Sequence, residues 1–368
     1  MSPSQDIRAL TSIRGIAAWW IVLFHFREYL PVLDNASTGY VIGRGYLAVD
    51  LFFELSGFVI ALNYGKFFRH FSMGEWFRFL GRRLARIYPL HILMLFIFLL
   101  NPLVIGVLAS RPDFERYDPG YFVLSIFLMQ NWGFKHLLAW NIPAWSISTE
   151  WMAYLLFPAI CWITIRFARS RGHSFLLAGL LMAVLAAGFM AFHTALGEAV
   201  ARTGLFRCVL EFWIGICLYY AWSAGGVRKA YESHIALALA VVCCVLYAIF
   251  HLPDFTIAPF VFFCLIYALV DQRSFFSKVM SNRVLEFVGL ISYSTYMVHY
   301  FIRDWIKLLL IRDGIPIVVA VLSYIAFTAV ASVILYRYVE VPGRSFFRGL
   351  MNSPVSLDPK RVQRRQFP

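Results

Sequence analysis

The sequence predicts an all-α fold of the polytopic integral membrane class. Hydrophobic residues make up 61% of the 368 residues, charged residues make up 14%, and the mean hydropathy is +0.70, which exceeds the apolar share of an ordinary soluble domain. The apolar residues form runs that match the thickness of a bilayer. Basic residues lie in short clusters between these runs, as the positive-inside rule describes. The formal net charge of +13 is therefore no sign of nucleic-acid binding, and nucleic acid is excluded as a partner.

Ten apolar segments are long enough to cross a bilayer as helices. They lie at residues 11–30, 44–65, 84–109, 146–166, 174–192, 206–222, 233–251, 256–271, 285–311 and 315–337. An eleventh apolar patch, Tyr121 to Met129, is too short, and the stretch around 119–132 is predicted as a re-entrant or interfacial segment. With ten spans, most basic clusters lie on the side of the membrane that holds the N-terminus. This side is therefore predicted to be the cytoplasm, and both termini are predicted to lie there. We expect a membrane domain over 1–345 and a basic cytoplasmic tail over 346–368.

The first segment, TSIRGIAAWWIVLFHFREYL, carries a cation and a titratable base on one helix face. Arg14 and His25 are eleven residues apart, which in a helix is almost three turns and about 16 Å along the axis. Ionisable groups at membrane depth usually face a bundle interior or an aqueous cavity, so a functional role is one interpretation. The alternative is that Arg14 snorkels to the cytoplasmic surface and His25 lies in the opposite headgroup layer.

The second segment carries two acids at i, i+4, Asp50 and Glu54. Two carboxylates this close in a low dielectric need a cationic partner or must share a proton. We interpret Asp50 as part of a substrate-binding surface.

Three arginines, Arg82, Arg83 and Arg86, crowd the cytoplasmic entry of the third segment in RFLGRRLARIYP. Arg83 and Arg86 are at i, i+3 and share a face, which suits a grip on phosphate. Ordinary positive-inside anchoring explains the cluster as well. With Arg14, these arginines form a candidate cytoplasmic anion site.

The fourth segment begins in NIPAWSISTEWMAYLLFP and places Glu150 about one turn into the membrane from outside. Because His25 lies at a similar depth, the two side chains are predicted to form a general-base pair in which Glu150 orients and charges His25. Ser146 is a candidate for contact with substrate, and together with Ser148 it suggests a Ser/His/Glu triad. That reading is disfavoured because no nucleophile elbow accompanies the serine.

Other polar residues at membrane depth are candidates for lining a substrate cavity. Tyr296 and His299 form a stripe with Ser292 in the ninth segment, although hydrogen bonds between helices explain such a stripe nearly as well. Asn131 and Trp132 close the short non-spanning patch. Arg207 and Glu211 in the sixth segment, and Glu340 with Arg337 or Arg344, are predicted ion pairs. Pro342 is expected to end the last helix, and the six cysteines are expected to pack in the interior, with no metal site.

Together these motifs resemble the acyltransferase 3 family, membrane proteins that O-acylate bacterial polysaccharides, lipopolysaccharides and some small molecules. The resemblance runs from Arg8 to about Arg344. It is carried by IRGIAAWWIVLFHF, GYLAVDLFFELSGF, the Arg-x-x-Arg pair before IYPL, WSISTEW, ISYSTYMVH and YVEVPGR, in this order. Glu54 departs from the family pattern, in which an aliphatic residue is more common, and a local partner such as Arg44 is one explanation.

The resemblance implies roles for individual residues. His25 is expected to be catalytic, with Arg14 supporting it or the donor, and Glu150 matches a family carboxylate. Arg83 and Arg86 are expected to bind an acyl-CoA donor, with Arg82 beside them.

The hypothesis is an O-acyltransferase of the bacterial inner membrane that moves an acyl group, most simply acetyl from acetyl-CoA, to a hydroxyl of a surface glycan or glycolipid. Two alternatives stay open. One is an acyltransferase for a lipid or a small molecule, and the other is a secondary transporter or flippase whose intramembrane charges form a pathway.

Overall fold

A computed structural model describes residues 7–30, 36–65, 72–109, 115–224, 231–312 and 314–352, and within these ranges every regular element is a helix. The helices are α1 (Arg8–His25), α2 (Ala36–Gly43), α3 (Ala48–Tyr64), α4 (Met73–Ile97), α5 (Leu100–Ala109), α6 (Pro119–Ile126), α7 (Trp145–Phe167), α8 (Arg171–Phe192), α9 (Val200–Ala224), α10 (Tyr231–Phe250), α11 (Asp254–Val270), α12 (Phe275–Met280), α13 (Arg283–Leu290), α14 (Ser292–Ile306), α15 (Ile317–Leu335) and α16 (Val341–Asn352). Short 3-10 turns occur at Arg27–Tyr29, Gly45–Leu47 and Ile142–Ala144, and π turns at Lys307–Ile311 and Tyr336–Glu340.

Six of the described helical stretches are long and apolar enough to cross a membrane. They are Thr38–Tyr64, Met73–Val104, Arg171–Phe192, Val200–Ala224, Tyr231–Phe250 and Ile317–Phe347. The prediction of an all-α, multi-pass membrane protein is confirmed at this level. The count of ten spans and the cytoplasmic position of both termini stay predictions.

The centre of the molecule is the packing of α3 against α9. A Cβ atom at Gly57 would lie 1.9 Å from the Phe212 carbonyl oxygen, and one at Gly215 would lie 1.9 Å from the Glu54 carbonyl oxygen. Each helix therefore uses a glycine to bring its backbone against the other, as small residues do where membrane helices pack closely.

Helix α1 lies between α3, α13 and α14. A Cβ at Gly289 would lie 1.9 Å from the Thr11 carbonyl oxygen, so α13 also packs backbone to backbone on α1. The predicted span 285–311 is not one straight helix, because α13 ends at Leu290 and α14 begins at Ser292. The break at Ile291 lets α13 and α14 each follow their own contacts with α1.

The short segment predicted around 119–132 forms one eight-residue helix, α6. Asp118 caps it by accepting a 2.7 Å hydrogen bond from the Gly120 backbone N–H. Eight residues span about 12 Å as a helix, well under the roughly 30 Å of a hydrocarbon core. The backbone after it is irregular, and Leu128 has a φ of 59°. Its position relative to the membrane stays a prediction.

Two expectations about the C-terminal region and the cysteines are corrected. Pro342 does not end the last helix, because α15, the π turn at Tyr336–Glu340 and α16 follow one another without a break and the helical stretch Ile317–Phe347 passes through the proline. A local π adjustment is one way in which a membrane helix accommodates a proline. Helix α16 crosses the boundary predicted at 345, and residues 353–368 of the predicted tail lie outside the described residues. Four of the six cysteines are buried, but Cys243 is half-buried and Cys244 is exposed.

Candidate active site

Four charged residues from three helices line one cavity of about 100 Å³. Arg14 comes from α1, Arg83 and Arg86 from α4, and Glu150 from α7. The rest of the wall is apolar or hydroxyl-bearing: Val49, Phe52, Phe53, Leu55, Ser56, Val59, Ile60, Ile87, Ser146, Ile147, Tyr154, Ser292, Tyr293 and Tyr296. The cavity therefore holds three fixed cations and one carboxylate among the described residues of its wall.

The arginines of this wall are only weakly compensated. Arg83 donates a 3.2 Å hydrogen bond to the Tyr64 hydroxyl, and its Nε is buried with no hydrogen-bond partner among the residues that the structure describes. Within the described part of the chain, Arg14 and Arg86 form no hydrogen bond or ion pair and are partly buried. Arg82, which was grouped with these residues, is not on the wall. A cavity with unpaired guanidinium groups and a low-dielectric wall favours an anionic ligand.

Glu150 is held by two hydroxyl groups. Ser56 Oγ and the Tyr154 hydroxyl each donate a 2.5 Å hydrogen bond to the same oxygen, Oε1. The predicted direct pair of Glu150 with His25 is absent from the described hydrogen bonds, so that prediction is wrong. An equal depth in the membrane is not enough to bring the two side chains together. Glu150 faces α3 and the arginines, whereas His25 faces α14.

His25 is paired with another histidine. Its Nδ1 lies 3.1 Å from the Ile21 carbonyl oxygen and 3.2 Å from Nε2 of His299. The edge of the Tyr300 ring packs on the His25 ring at a centroid distance of 5.4 Å. His299 is 0% exposed, whereas His25 is only partly buried. His25 is therefore the accessible member of the pair, and His299 does not line a substrate surface as predicted.

The arginine cavity and the histidine pair are neighbours. The Tyr296 ring is part of the cavity wall, and its centroid lies 5.9 Å from that of the His299 ring. The Tyr296 hydroxyl lies 2.8 Å from Ser146 Oγ and donates a 2.7 Å hydrogen bond to the Pro143 carbonyl oxygen. Ser146 thus lines the cavity, and its hydrogen-bonding partners are Tyr296 and the Pro143 carbonyl oxygen rather than His25.

Asp50 is not part of the cavity wall. Its two carboxylate oxygens accept hydrogen bonds of 2.6 and 2.5 Å from Nε and NH2 of Arg207, and both side chains are buried. The predicted intrahelical pair of Arg207 with Glu211 is present at 3.8 Å, but Asp50 is the closer partner. Asp50 therefore joins α3 to α9 and does not bind substrate. Glu54 does not pair with Arg44, which donates instead to the Tyr46 hydroxyl.

Asn131 and Trp132 also lie off the cavity wall. Ser148 Oγ accepts a 3.2 Å hydrogen bond from the Asn131 backbone N–H, and Trp132 Nε1 donates a 3.0 Å hydrogen bond to the Ser148 carbonyl oxygen. These contacts tie the irregular chain after α6 to the first turn of α7. Their effect on the site is indirect, because this first turn carries Ser146 and leads into the next turn, which carries Glu150.

Sequence reasoning missed Ser56, Tyr154 and Tyr293 as parts of the wall. Tyr154 carried a usable signal, since it follows Glu150 at i, i+4 and shares its helix face. Ser56 lies on α3, 94 residues before Glu150, and nothing in the pattern of α3 indicates that it faces Glu150.

Comparison with known proteins is informative over most of the chain. A family model described as an acyltransferase domain matches residues 7–337. The O-acetyltransferase OatA of Staphylococcus aureus (strain NCTC 8325 / PS 47) is 25% identical over 362 residues, which cover 86% of this chain and 57% of that protein. A putative O-acetyltransferase of Staphylococcus aureus (strain COL) is 23% identical and covers 92% of this chain, again over 57% of that protein. Protein 2 in the picA locus of Rhizobium radiobacter is 35% identical over 40% of this chain and 79% of that protein.

The chain thus spans little more than half the length of the two staphylococcal relatives. No solved structure matches it.

Proposed function

The chain belongs to the acyltransferase 3 family, and from this premise we propose that it is a membrane O-acyltransferase that takes its acyl group from an acyl-CoA. The observation that carries the proposal is the single cavity in which Arg14, Arg83 and Arg86 converge. Arg14 begins the helix face that ends at His25, and the cavity wall reaches the histidine pair through Tyr296. An anion site and an imidazole base are therefore linked along α1.

The donor site follows from the charge of the cavity. Phosphate groups match guanidinium groups in charge and in bidentate geometry. Among the described residues no side chain hydrogen-bonds or ion-pairs with Arg14 or Arg86, so both guanidinium groups can bind a phosphorylated donor, and Glu150 is the acid of the same wall that competes with it. The acyl thioester, at the end of the flexible pantetheine arm, then reaches toward His25, about 16 Å along α1 from Arg14.

His25 supplies the base or the nucleophile. In direct transfer, His25 accepts the proton of the acceptor hydroxyl while the hydroxyl oxygen attacks the thioester carbonyl; the C–O bond forms, the C–S bond breaks, and the thiolate leaves and takes up a proton. In the covalent route, a His25 nitrogen first displaces the thiolate to give acyl-histidine, which the acceptor hydroxyl then cleaves. Both routes end in the same products, an ester and a free thiol.

The proposed acceptor is a hydroxyl of a surface glycan or its lipid-linked precursor, presented on the outer side of a bacterial cytoplasmic membrane. Two features support this: the family resemblance and the outer-half position predicted for His25. A lipid or small-molecule hydroxyl is the competing acceptor, and an assay with each class of acceptor separates the two.

The test is acyl-CoA turnover by purified protein in nanodiscs, read as release of free thiol and as covalent acyl label on the protein. We expect the wild type to bind and cleave acetyl-CoA, and His25→Gln to bind it without cleaving it. The double variant Arg83→Gln/Arg86→Gln should lose donor binding. Arg78→Gln is the matched control, because Arg78 is exposed on the same helix and its Nε hydrogen-bonds the Gly74 carbonyl oxygen, off the cavity wall.

If the wild type neither binds nor cleaves any acyl-CoA, with or without acceptor, the proposed donor is wrong and a transport function takes precedence. A label that persists after donor removal and disappears in His25→Gln would favour the acyl-histidine route.

A further inference from the structure

The two nitrogens of His299 have different partners. Nδ1 lies 3.2 Å from the Thr295 carbonyl oxygen, one turn earlier on α14. A carbonyl oxygen only accepts hydrogen bonds, so His299 Nδ1 must carry a proton. His299 is 0% exposed and packs among the rings of Tyr296 and Tyr300, where a charged imidazolium without a counter-ion is costly. In the neutral ring, Nε2 is then the acceptor.

This arrangement determines where the proton of His25 lies. His25 Nδ1 faces two acceptors, the Ile21 carbonyl oxygen at 3.1 Å and His299 Nε2 at 3.2 Å. The assignment that satisfies both contacts places the His25 proton on Nδ1, where one N–H is shared between the two acceptors. Its Nε2 is left with a lone pair, and because His25 is the partly exposed member of the pair, this nitrogen is the reactive one.

We propose that His299 is a positioning residue that fixes His25 in the tautomer protonated on Nδ1 and so presents Nε2 to the acyl donor and acceptor. The inference rests on the proposed function for its catalytic consequence, but the tautomer itself does not depend on it. When His25 takes a proton or an acyl group on Nε2, the ring becomes cationic and the Nδ1–H donor becomes stronger, so the bond to His299 stabilises the state that the reaction creates.

A positioning role and a purely structural role for His299 predict that different substitutions are tolerated at this position. Glutamine places an amide oxygen close to the position of Nε2 and can accept the same hydrogen bond. Phenylalanine fills the volume but offers no acceptor. A packing role therefore predicts that phenylalanine is at least as good a replacement as glutamine, whereas a positioning role predicts the reverse.

The kinetic experiment compares His299→Gln with His299→Phe in nanodiscs. We expect His299→Phe to lower kcat about 10- to 100-fold, the effect of losing one hydrogen bond to a charged group, with the donor KM within about twofold because His299 does not touch the donor. His299→Gln should recover most of this loss. The matched control is His91→Phe, which replaces another buried histidine whose Nε2 meets the Ser125 carbonyl oxygen outside the arginine cavity. Equal losses in the two variants at position 299, or a loss of donor binding in both, would overturn the proposal.

The spectroscopic experiment reports the tautomer without any turnover. The chain has nine histidines, so the ¹⁵N signals of His25 in histidine-labelled protein are identified by their absence in His25→Gln. We expect the wild type to show a protonated Nδ1 and an unprotonated Nε2, and His299→Phe to show a mixture of both tautomers. A wild-type His25 protonated on Nε2 contradicts the inference even if the enzyme is active. Conversely, a correct tautomer in a protein that does not cleave acyl-CoA contradicts the proposed function and leaves the positioning intact.

Discussion

The buried arginines of this protein are of two kinds: those bonded to a carboxylate and those that face a cavity. Arg207 is fully buried, and Asp50 meets it with two hydrogen bonds, which is the arrangement that a structural cation requires. Arg14 and Arg86 face a cavity and have no such partner within the described ranges. Glu150 and Glu340 act on the charge of Arg14 from a distance, but among the described residues no carboxylate is bonded to the guanidinium group of Arg14 or of Arg86. These are therefore the arginines that we assign to the donor.

The acids of α3 provide a stability prediction. Both oxygens of Glu54 are buried and meet no hydrogen-bond partner in the described part of the chain, while Asp50 pairs with Arg207. Glu54→Gln removes a buried ionisable group at constant shape and should leave the unfolding temperature unchanged or higher. Asp50→Asn breaks a buried ion pair and should destabilise the protein by about 3 kcal/mol. Thermal unfolding of both variants in one detergent measures the difference, and a larger loss for Glu54→Gln would show that Glu54 has a structural partner.

Glu150 provides a prediction about binding. It is the single carboxylate among the described residues that line the arginine cavity. Glu150→Gln raises the net positive charge of the cavity and keeps an oxygen for Tyr154, so acyl-CoA should bind about three- to tenfold more tightly, as expected for one unit charge at close range near an interface. Equilibrium titration measures this, with the exposed Glu198→Gln as control. Weaker binding in Glu150→Gln would place Glu150 in direct contact with the donor.

At the scale of the helices, the site depends on backbone contacts that only glycine permits. The contact of Gly57 with the Phe212 carbonyl oxygen sets the distance between α3 and α9. Ser56, the neighbour of Gly57, donates to Glu150. A change in the spacing of these helices therefore moves one wall of the cavity as well as the core.

Gly57→Ala tests this spacing. Because the new Cβ would lie 1.9 Å from a backbone oxygen, α3 and α9 must separate, and we expect a loss of about 1–3 kcal/mol, typical of an overpacked core. Gly179→Ala is the matched control, since a Cβ there meets nothing within 4 Å in α8 and alanine favours a helix over glycine. Unfolding temperatures that fall equally in both variants would contradict the role of the α3–α9 contact.

Periodicity within one helix was enough to predict part of the site. The shared face of Arg14 and His25, and that of Arg83 and Arg86, follow from 3.6 residues per turn. Partners on different helices were not predictable, because they depend on how helices rotate and tilt against each other. Asp50 and Arg207 are 157 residues apart, and His25 and His299 are 274 residues apart. The error over Glu150 has the same origin, since equal depth does not specify which neighbour a helix face meets.

At the scale of the molecule, the most buried of the apolar helices carry ionisable residues at membrane depth, and the most exposed ones are apolar. In the helical stretch Thr38–Tyr64, which contains α3, and in α9, 72% of the most apolar window is buried, and α3 and α9 carry Asp50, Glu54, Arg207 and Glu211. In α10 only 17% of the corresponding window is buried, and in α8 it is 22%. Apolar helices with exposed surfaces surround charged helices with buried ones, which is the arrangement expected when lipid, rather than water, contacts the outer surface.

The number of spans gives the final prediction, because it decides on which side each loop lies. If the eight-residue α6 does not cross the membrane, the Arg166–Arg171 cluster between α7 and α8 is cytoplasmic and the loop around Glu198 is external. Green fluorescent protein fused after Arg169 should then fluoresce and alkaline phosphatase at the same site should be inactive, whereas fusions after Glu198 should behave in the opposite way. If α6 and the irregular chain after it crossed the bilayer, both results would be reversed. The Arg166–Arg171 cluster would then lie on the outside, against the positive-inside rule.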